Sequence, residues 1–366
     1  MAITVKKVSQ ILEDLAPKTY AESFDNVGLL VGNENQEVTG VLITLDCIEE
    51  VVDEAIAKNL NMIVAFHPII FSGLKKITGK SYVERTVLKA IQHNIAIYAL
   101  HTNLDFAFNG SNWKLGEILH LQNIKTLIPK DKTIKKLTTY VPTVDMEKVR
   151  QALFENGAGN IGNYENCSFT VEGVGTYKGN DNSNPVIGER GIFHKEPETC
   201  VSLTFPWYLE SKLVQTLKEA HPYEEVAYEI VTLDNENQHI GIGVYGDLSE
   251  ALSETDFLAF IKTKIPTACI RHSNLLGKKI QKVALLGGSG SFGLNAAKAV
   301  RADAYISADF KYHEFYQAEN QILICDVGHF ECEQHIKTLL FDYLTKKITN
   351  FAVALSEVNT NPVNYY

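Results

Sequence analysis

The sequence has 366 residues, of which 45% are apolar, enough to bury a large core and too many for a disordered chain. At roughly 100 to 200 residues per domain, this length predicts two domains, or one large domain that carries an insertion. With 34 basic and 44 acidic residues, the formal charge of -10 disfavours a dedicated nucleic-acid binder, which needs a basic surface.

The amino-terminal segment MAITVKKVSQILEDL has the pattern of an amphipathic helix and not that of a signal peptide. No apolar stretch reaches the roughly 20 residues that span a bilayer, so we expect no membrane segment. The six cysteines lie far apart in the sequence and form no CxxC pair. Reduced, mostly buried thiols and a cytoplasmic location are therefore predicted.

From residue 38 onward, short apolar runs alternate with helical patterns. The apolar runs of this first part are VTGVLITLD, NMIVAFHP and IAIYALHTNLD, and the helical patterns are IEEVVDEAIAKN and YVERTVLKAIQHN. The same alternation returns near the other end of the chain, from IQKVALL to ECEQHIKTLLFDYL. Strands alternating with helices in this way indicate βαβ units and a mainly parallel sheet.

The middle of the chain has a different character. Residues 155–191 are rich in glycine and asparagine, and period-two strands such as TCVSLTFP flank the helical pattern LESKLVQTLKEA. Turn-rich segments between short alternating strands are typical of a small α+β domain. We therefore predict an α/β domain of residues 1–129 and 243–366, interrupted by an inserted α+β domain of residues 130–242.

Titratable side chains follow several of the apolar strands in the two α/β parts. They are His67, His101, Asp105, Asp309, His329 and Glu333. Each alone has a structural explanation, such as a strand end, a turn or a helix cap. Because the carboxyl ends of parallel strands share one edge of a sheet, these groups are expected to converge there. Mixed imidazole and carboxylate ligands suit zinc, manganese or iron(II), and carboxylates can bridge two ions roughly 3.5 to 4 Å apart.

A competing pattern lies in KVALLGGSGSFGLNAAKAV. Gly288, Gly290 and Gly293 fit GxGxxG between a strand and a helix, and Asp309 follows about 20 residues later. This is the spacing of the dinucleotide-binding fingerprint, although the motif begins only about 80 residues before the last residue, too few for a full nucleotide domain. An anion-holding turn at a helix amino terminus explains the glycines equally well.

Several motifs occur together in a fixed order: AESFDNVGLLVG, AFHPIIF, ALHTNLD, GGSGS, ISADFKYHE and DVGHFECE. In this order they resemble the Nif-three-like family, also called type-two GTP cyclohydrolase-one homologues. Long members of that family carry an inserted domain similar to the PII and CutA proteins. The segment AHPYEEVAYEI, residues 220–230, resembles the CutA signature, so the resemblance implies a ferredoxin-like, PII/CutA-like insertion.

The resemblance also implies a paired divalent-metal site. Its ligands in this sequence would be His67, His101, Asp105, His329 and Glu333. It implies two divalent ions per chain, zinc first and manganese or iron as alternatives, and a ring-shaped homohexamer.

This chain departs from the family pattern at two positions. Many members have His-His-Pro where this chain has Phe66-His67-Pro68, so one imidazole is missing and the occupancy of one ion is open. Cys332 stands where the family usually has serine. A neighbour of Glu333 on a helix points about 100° away from it, so we expect Cys332 to be a packed thiol and not a ligand.

Four further residues are weaker candidates. Asp309 and His313, at i and i+4, are either partners that orient metal ligands, a proton relay, or a capped helix start. Glu22 and Asp25 are expected to brace the loop beneath the first strand.

Three functional hypotheses follow. The first is a metal-dependent hydrolase-type enzyme in which two ions activate a water while the Gly288–Gly293 turn holds an anionic group of a small substrate; the family name points to GTP ring opening. The second is a metal-binding regulatory or carrier protein without catalysis. The third is a nicotinamide-dependent oxidoreductase based on GxGxxG.

Overall fold

Residues 3–366 are described by a computed structural model in which the chain divides into two units. One unit holds the described residues up to Pro129 together with Gln238–Tyr366, and the other holds Lys130–Asn237. The inserted segment therefore ends at residue 237, earlier than the expected 242. The reason is that the strand beginning at Gly241 pairs with the strand that ends at Pro129 and so belongs to the first unit.

The helices and strands follow the chain in three blocks. The first block comprises α1 (Val5–Leu15), β1 (Gly28–Val31), β2 (Val41–Thr44), α2 (Glu49–Ala57), β3 (Met62–Ala65), α3 (Tyr82–Gln92), β4 (Ala96–Ala99), α4 (Thr102–Phe106), α5 (Ser111–Ile118) and β5 (Gln122–Pro129). The second unit comprises β6 (Ile134–Pro142), α6 (Met146–Glu155), β7 (Phe169–Lys178), β8 (Phe193–Pro206), α7 (Glu210–Ala220) and β9 (Tyr228–Leu233). The returning block comprises β10 (Gly241–Ser253), α8 (Glu254–Lys264), β11 (Arg271–His272), β12 (Lys279–Ser289), α9 (Leu294–Ala299), β13 (Ala304–Ala308), β14 (Leu323–Asp326), α10 (His329–Glu333), α11 (Ile336–Lys347) and β15 (Val353–Leu355). None of the helices within residues 3–366 is long and apolar enough to cross a membrane.

The first sheet has the strand order β1-β4-β3-β2-β15. Strands β4, β3, β2 and β15 are parallel, and β1 runs antiparallel to β4. Its central strands read VLIT, MIVA and AIYA, and every residue in them is buried. Such continuous apolar strands arise because both faces are covered, here by α1 and α11 on one side and by α2 and α3 on the other.

The second sheet has the order β11-β14-β13-β12-β10-β5. Strands β12, β13 and β14 are parallel, whereas β5, β10 and β11 are antiparallel to their neighbours. The expectation of a single, mainly parallel sheet is therefore wrong. Each α/β part of the sequence builds its own sheet, and β10 closes the second one by pairing with both β12 and β5.

The two sheets are joined by the end of the chain. After β14 the chain passes through α10 into α11, whose buried residues belong to the core beneath the first sheet. It then enters that sheet as β15, parallel to β2. The residues at the start of α10 are thereby brought to the carboxyl ends of β3 and β4.

The second unit has the element order β6-α6-β7-β8-α7-β9 and a sheet in the order β7-β8-β6-β9. All the strand pairings in this sheet are antiparallel, and both helices contribute to its core. This order is that of the ferredoxin-like fold, so the unit is α+β as expected. Its likeness to PII and CutA proteins stays a prediction from the sequence.

The strand pairings predict that the second unit can be removed cleanly. In the first unit Pro129 pairs with Gly241, and Thr126 Oγ1 donates to the carbonyl oxygen of Gln238 at 2.6 Å, so the two cut ends lie side by side. Replacing residues 130–237 by a Gly-Ser-Gly linker should leave a chain that unfolds in one cooperative thermal transition, measured by circular dichroism.

The matching control is the isolated segment 130–237, in which Ile134 pairs with Leu233 and again brings the ends together. It should show its own thermal transition. An excised first unit that is recovered only as aggregates would show that the division into units is not one of independent stability.

Candidate metal centre

All five candidate ligands follow strand ends of the first unit. His67 lies just beyond β3 and His101 just beyond β4, at the same edge of the first sheet. Asp105 lies in α4, which begins directly after His101. After β14 of the second sheet, α10 begins at His329 and ends at Glu333. Both sheets therefore contribute side chains to one region.

The cluster is tightest around the carboxylate of Glu333. The Nε2 atoms of His67 and His329 lie 3.3 and 3.1 Å from Glu333 Oε2, and a ligand atom from each of these three residues lies within 4.8 Å of the others. The rings of His101 and His67 are 5.4 Å apart between centroids. A cavity of about 510 Å³ is lined by His101, Asp105, His329 and Glu333. The structure thus brings all five predicted residues together.

Each imidazole of the cluster has its Nδ1 atom hydrogen-bonded to an aspartate. The Nδ1 to Oδ distances are 2.8 Å for His67–Asp46, 2.9 Å for His101–Asp25 and 2.7 Å for His329–Asp309. A carboxylate at Nδ1 favours the tautomer with its proton there and leaves Nε2 to bind a metal. Carboxylate, imidazole and metal in a row are a common arrangement in metalloproteins.

Sequence reasoning missed Asp46. It follows β2 as His67 follows β3, so the rule of polar residues at strand ends was a signal that applied to it equally. Its second oxygen, Oδ2, accepts a hydrogen bond from Thr360 Oγ1 at 2.8 Å. The carboxyl-terminal segment thereby holds the aspartate that orients His67.

Asp25 has a different role from the one expected. It accepts hydrogen bonds from the backbone N–H and the hydroxyl of Thr102, at 3.0 and 2.6 Å, in addition to its contact with His101. It therefore orients His101 and does not merely brace a loop. Glu22 is tied to the same place through its backbone N–H, which donates to Thr102 Oγ1 at 2.9 Å.

Asp309 orients His329, one of the roles considered for it, and His313 lies elsewhere. Asp309 also accepts a hydrogen bond from the hydroxyl of Ser289 and has a φ of +59°, in the left-handed region. The ring of His313 packs instead against the rings of Tyr312 and Tyr316, at 5.1 and 6.3 Å. The i, i+4 spacing therefore did not pair these two residues.

The environment of Glu333 fits a cation. The residue is 5% exposed, and its Oε2 atom has no hydrogen-bond partner among residues 3–366 although two imidazole nitrogens lie nearby. A buried carboxylate oxygen without hydrogen bonds is costly unless a cation compensates it. Imidazole nitrogens and carboxylate oxygens are ligands that zinc and similar ions accept.

The pKa values of the cluster show how it balances charge by itself. Burial disfavours the charged form of both histidines, but the carboxylates outweigh it: Asp46 and Glu333 raise the pKa of His67 to about 9, and Asp309 and Glu333 raise that of His329 to about 10. Burial would raise the pKa of Glu333, yet the two imidazoles lower it. Protons thus occupy the positions where a cation would be held.

Asp105 is the second carboxylate of the cluster and is half-buried. Burial and the charge of Glu333 raise its pKa to about 7, against a hydrogen bond from the Ser111 hydroxyl. The side chain of Asn112 donates to the carbonyl oxygen of Asp105 at 3.3 Å and accepts from the backbone N–H of Gly287 at 2.8 Å. Ser111 and Asn112, at the start of α5, therefore fix Asp105 relative to β12; neither residue was singled out from the sequence.

Comparison with known proteins decides the family. A family model described as Duf34/NIF3 (NGG1p interacting factor 3) matches residues 3–362. The chain belongs to the DUF34/NIF3 family. The resemblance drawn from the ordered motifs is therefore confirmed.

Relatives and solved structures of the DUF34/NIF3 family match over the whole length. A Bacillus subtilis protein named GTP cyclohydrolase 1 type 2 homolog is 35% identical over 100% of this chain and 99% of its own. The crystal structure of a Bacillus cereus protein related to NIF3 matches with a TM-score of 0.85 and 36% identity, covering 100% of both chains. The Staphylococcus aureus protein SA1388 matches with a TM-score of 0.81 and 31% identity, covering 100% of this chain and 99% of that one.

Phe66 stands at the position where the resemblance led us to expect a histidine. Its side chain is fully buried in the core beneath the first sheet. Its ring lies 5.0 Å from that of His67 and 5.6 Å from that of His101, between centroids. The apolar ring packs beside both imidazoles and offers no ligand atom.

Cys332 is packed away from the cluster. Its Sγ accepts a hydrogen bond from the backbone N–H of Gly288 and donates to the carbonyl oxygen of His329, both at 3.1 Å. Burial raises the pKa of the thiol well above its usual value. The thiol ties α10 to β12 and leaves Glu333 to face the histidines.

The two glycines at the end of β12 have no backbone N–H free to hold an anion. The backbone N–H groups of Gly287 and Gly288 are already used by Asn112 and Cys332. A Cβ atom at Gly288 would overlap Glu333 Oε1, and Cβ atoms at Gly290 and Gly293 would overlap the hydroxyls of Ser307 and Tyr305. Close packing therefore explains the GxGxxG spacing, and Asp309, the acid at the spacing of the dinucleotide fingerprint, is engaged with His329.

Two adjacent glycines allow a test of whether the backbone must lie close to the carboxylate of Glu333. Gly288→Ala should weaken zinc binding by about tenfold or more, because its Cβ displaces the carboxylate and its φ is +67°. Gly287→Ala is the matched control, since the nearest atoms to its Cβ lie at an ordinary 3.8 Å. Zinc affinity is measured by competition with a chelating dye, and equal affinities for the two variants would contradict the assignment.

The raised histidine pKa values predict a pH dependence of metal binding. At about pH 7.5, His67 and His329 carry protons because their pKa values are about 9 and about 10, whereas metal-bound imidazoles are neutral. Zinc binding should therefore release about two protons, and zinc affinity should rise with pH until these pKa values are passed.

Calorimetric titrations with zinc in buffers of different ionisation enthalpy measure this release. A heat of binding that is the same in all the buffers would contradict the prediction.

Proposed function

We propose that this protein binds two divalent cations, zinc first, at the cluster of His67, His101, Asp105, His329 and Glu333, and acts as a hydrolase-type enzyme. The observation that carries the proposal is the convergence of aspartate-backed imidazoles on the buried, unbonded Oε2 atom of Glu333.

The charge of the cluster supports a pair of cations. Glu333 is buried and Asp105 is half-buried, and the charge of the former raises the pKa of the latter. Two divalent cations bound nearby would offset the electrostatic repulsion between these two carboxylates. Manganese and iron(II) accept the same ligand types and remain alternatives to zinc.

The side chains around the cluster prepare it for this chemistry. Divalent ions bound there would supply Lewis acidity and lower the pKa of a water molecule. Asp46, Asp25 and Asp309 hold the protons on the three Nδ1 atoms, so every Nε2 is presented in one orientation. Phe66 excludes water from one side of His67 and His101.

We also propose that the two ions differ in affinity. Phe66 offers no ligand atom where many family members have an imidazole, so one position has fewer protein ligands than the other. The ion held between His67, His329 and Glu333, whose ligand atoms are already within 4.8 Å of each other, is expected to be the tighter one.

The substrate class and assembly belong to the same proposal. We propose a small anionic substrate, and guanine nucleotides are included because the Bacillus subtilis relative is named GTP cyclohydrolase 1 type 2 homolog. We propose a ring-shaped homohexamer by resemblance to the family, which light scattering on the purified protein tests. The free cysteines agree with the proposed cytoplasmic location.

The metal assignment predicts a specific loss on changing His101. The purified protein should hold up to two zinc ions per chain, and His101→Ala should lower the affinity of one of them by roughly tenfold or more, since even partners that only orient ligands contribute 10 to 100-fold. His93→Ala, at the exposed end of α3, is the matched control and should keep both ions. Elemental analysis measures the stoichiometry, and absence of metal after incubation with zinc or manganese would remove the proposal.

The same proteins separate catalysis from metal storage. Zinc-loaded parent protein is tested against a panel of phosphate esters, cyclic amides and nucleotides including GTP, with His101→Ala and chelator-treated protein beside it. Turnover that falls with metal content supports the hydrolase. Full metal content without turnover of any substrate favours the regulatory or carrier alternative.

A further inference from the structure

Arg271 is held beside the candidate metal centre by contacts on one side of its guanidinium. It lies in β11, opposite Asp326 of β14. Its Nη2 atom donates to the carboxylate of Asp326 and, at 3.0 Å, to the carbonyl oxygen of Phe310. The guanidinium carbon lies 5.5 Å from the centroid of the Phe315 ring. A charged group fixed in this way is preorganised for a ligand.

Much of the guanidinium remains available. The Nε and Nη1 atoms make no hydrogen bond to any of residues 3–366, and the side chain is 54% exposed. Asp326 does not depend on Arg271 alone, because the backbone N–H groups of Phe310 and Gly328 also donate to it, at 3.0 and 3.2 Å. Arg271 therefore has donors to spare for an oxyanion.

Arg271 lies between two cavities. The first, of about 440 Å³, is also lined by His67, Asp309 and His329 and so opens onto the metal centre. The second, also of about 440 Å³, is lined by Arg271, Ser273, Tyr312, Phe315 and Tyr316; we call it the tyrosine groove. Arg271 is therefore the residue that the two cavities share.

The tyrosine groove offers aromatic surface that the protein itself leaves uncovered. Tyr312 and Tyr316 are 72% and 67% exposed, and their hydroxyls are 3.2 Å apart. Their rings are 5.8 Å apart between centroids. Exposed aromatic rings beside a fixed arginine are suited to stack a planar ring whose anionic substituent the arginine binds.

Four carboxylates line the first cavity, and each has a partner: Asp326 is paired with Arg271 itself, and Glu331 accepts a hydrogen bond from the Asn361 side chain at 3.2 Å. Asp309 is engaged by His329 and by the hydroxyl of Ser289. Asp46 is engaged by His67 and by the hydroxyl of Thr360. The Nε and Nη1 donors of Arg271 are therefore not used by any of these four carboxylates.

We propose that Arg271 and the tyrosine groove form a binding site for a small aromatic oxyanion, a planar ring that carries a phosphate, phosphonate or carboxylate group. Arg271 binds the oxyanion and the rings of Tyr312 and Tyr316 bind the planar part. The adjoining metal centre then faces the oxyanion end of the ligand. Its role as a substrate site rests on the proposed function, whereas binding itself does not.

The test compares two probes, phenylphosphonate and inorganic phosphate, by calorimetric titration of the full-length protein with its zinc content measured. Arg271→Gln should weaken the binding of both probes by about tenfold or more, as expected for the loss of charge-assisted hydrogen bonds. Arg85→Gln is the matched control, because Arg85 is similarly exposed at 46%, is also in an ion pair, and lines neither cavity; it should change nothing.

The double variant Tyr312→Ala/Tyr316→Ala tests whether the two tyrosine rings bind the planar part of the ligand. Both side chains are exposed, so we expect the variant to fold. It should remove a roughly tenfold preference for phenylphosphonate over phosphate and leave phosphate affinity as in the parent. If Arg271→Gln does not fold, this variant decides the matter alone. Zinc content should be the same in every variant as in the parent protein. If the parent protein never retains zinc, the proposed function is wrong, but this inference about anion binding still stands.

Three results would overturn the inference. The first is parental affinity for phenylphosphonate in folded Arg271→Gln, and the second is an equal loss in Arg85→Gln, which would indicate a general charge effect. The third is an unchanged preference between the probes in the double tyrosine variant. If that variant also has a lower mass by light scattering, the tyrosine groove is a contact between copies of the chain instead.

Discussion

The carboxylate of Glu333, buried between two imidazoles from different sheets, is the constraint around which the first unit is arranged. His67 comes from the edge of the first sheet, and His329 enters from the second. A buried charge must be compensated, and here the compensating groups are themselves fixed by Asp46 and Asp309. The two sheets therefore meet at a place where this set of charges is mutually compensated.

The backbone around Glu333 is shaped to the same requirement. Gly288 leaves the space that Glu333 Oε1 fills, and Cys332 bonds the backbone on either side of it. The continuation of the chain through α11 into β15 then anchors α10 to the first sheet. Gly288, Cys332 and the strand β15 thus all help to position one carboxylate. This explains why residues far apart in the sequence each need a particular side chain.

Some of this could be predicted from the sequence and some could not. The histidines were predictable because strands of continuous apolar residues end visibly at His67 and His101, and the ends of parallel strands share an edge. The division into two sheets was not, because it depends on β10 pairing with β5 across the insertion. Asp25 was given the wrong role because its partner, His101, lies 76 positions away in the sequence. The GxGxxG pattern was ambiguous because glycine is required both where a phosphate approaches the backbone and where a neighbouring side chain occupies the space of a Cβ atom.

The position of the cluster bears on whether the proposed cations would be structural or exchangeable. Structural zinc sites supply the folding energy of domains that have little core of their own. Here both faces of the first sheet are covered by apolar cores, and the second sheet has cores of its own. The ligands stand at the sheet edges, and aspartates already orient them. A site held in shape by the protein, and able to store protons on His67 and His329 in place of cations, can exchange metal without unfolding; that is what a functional centre requires.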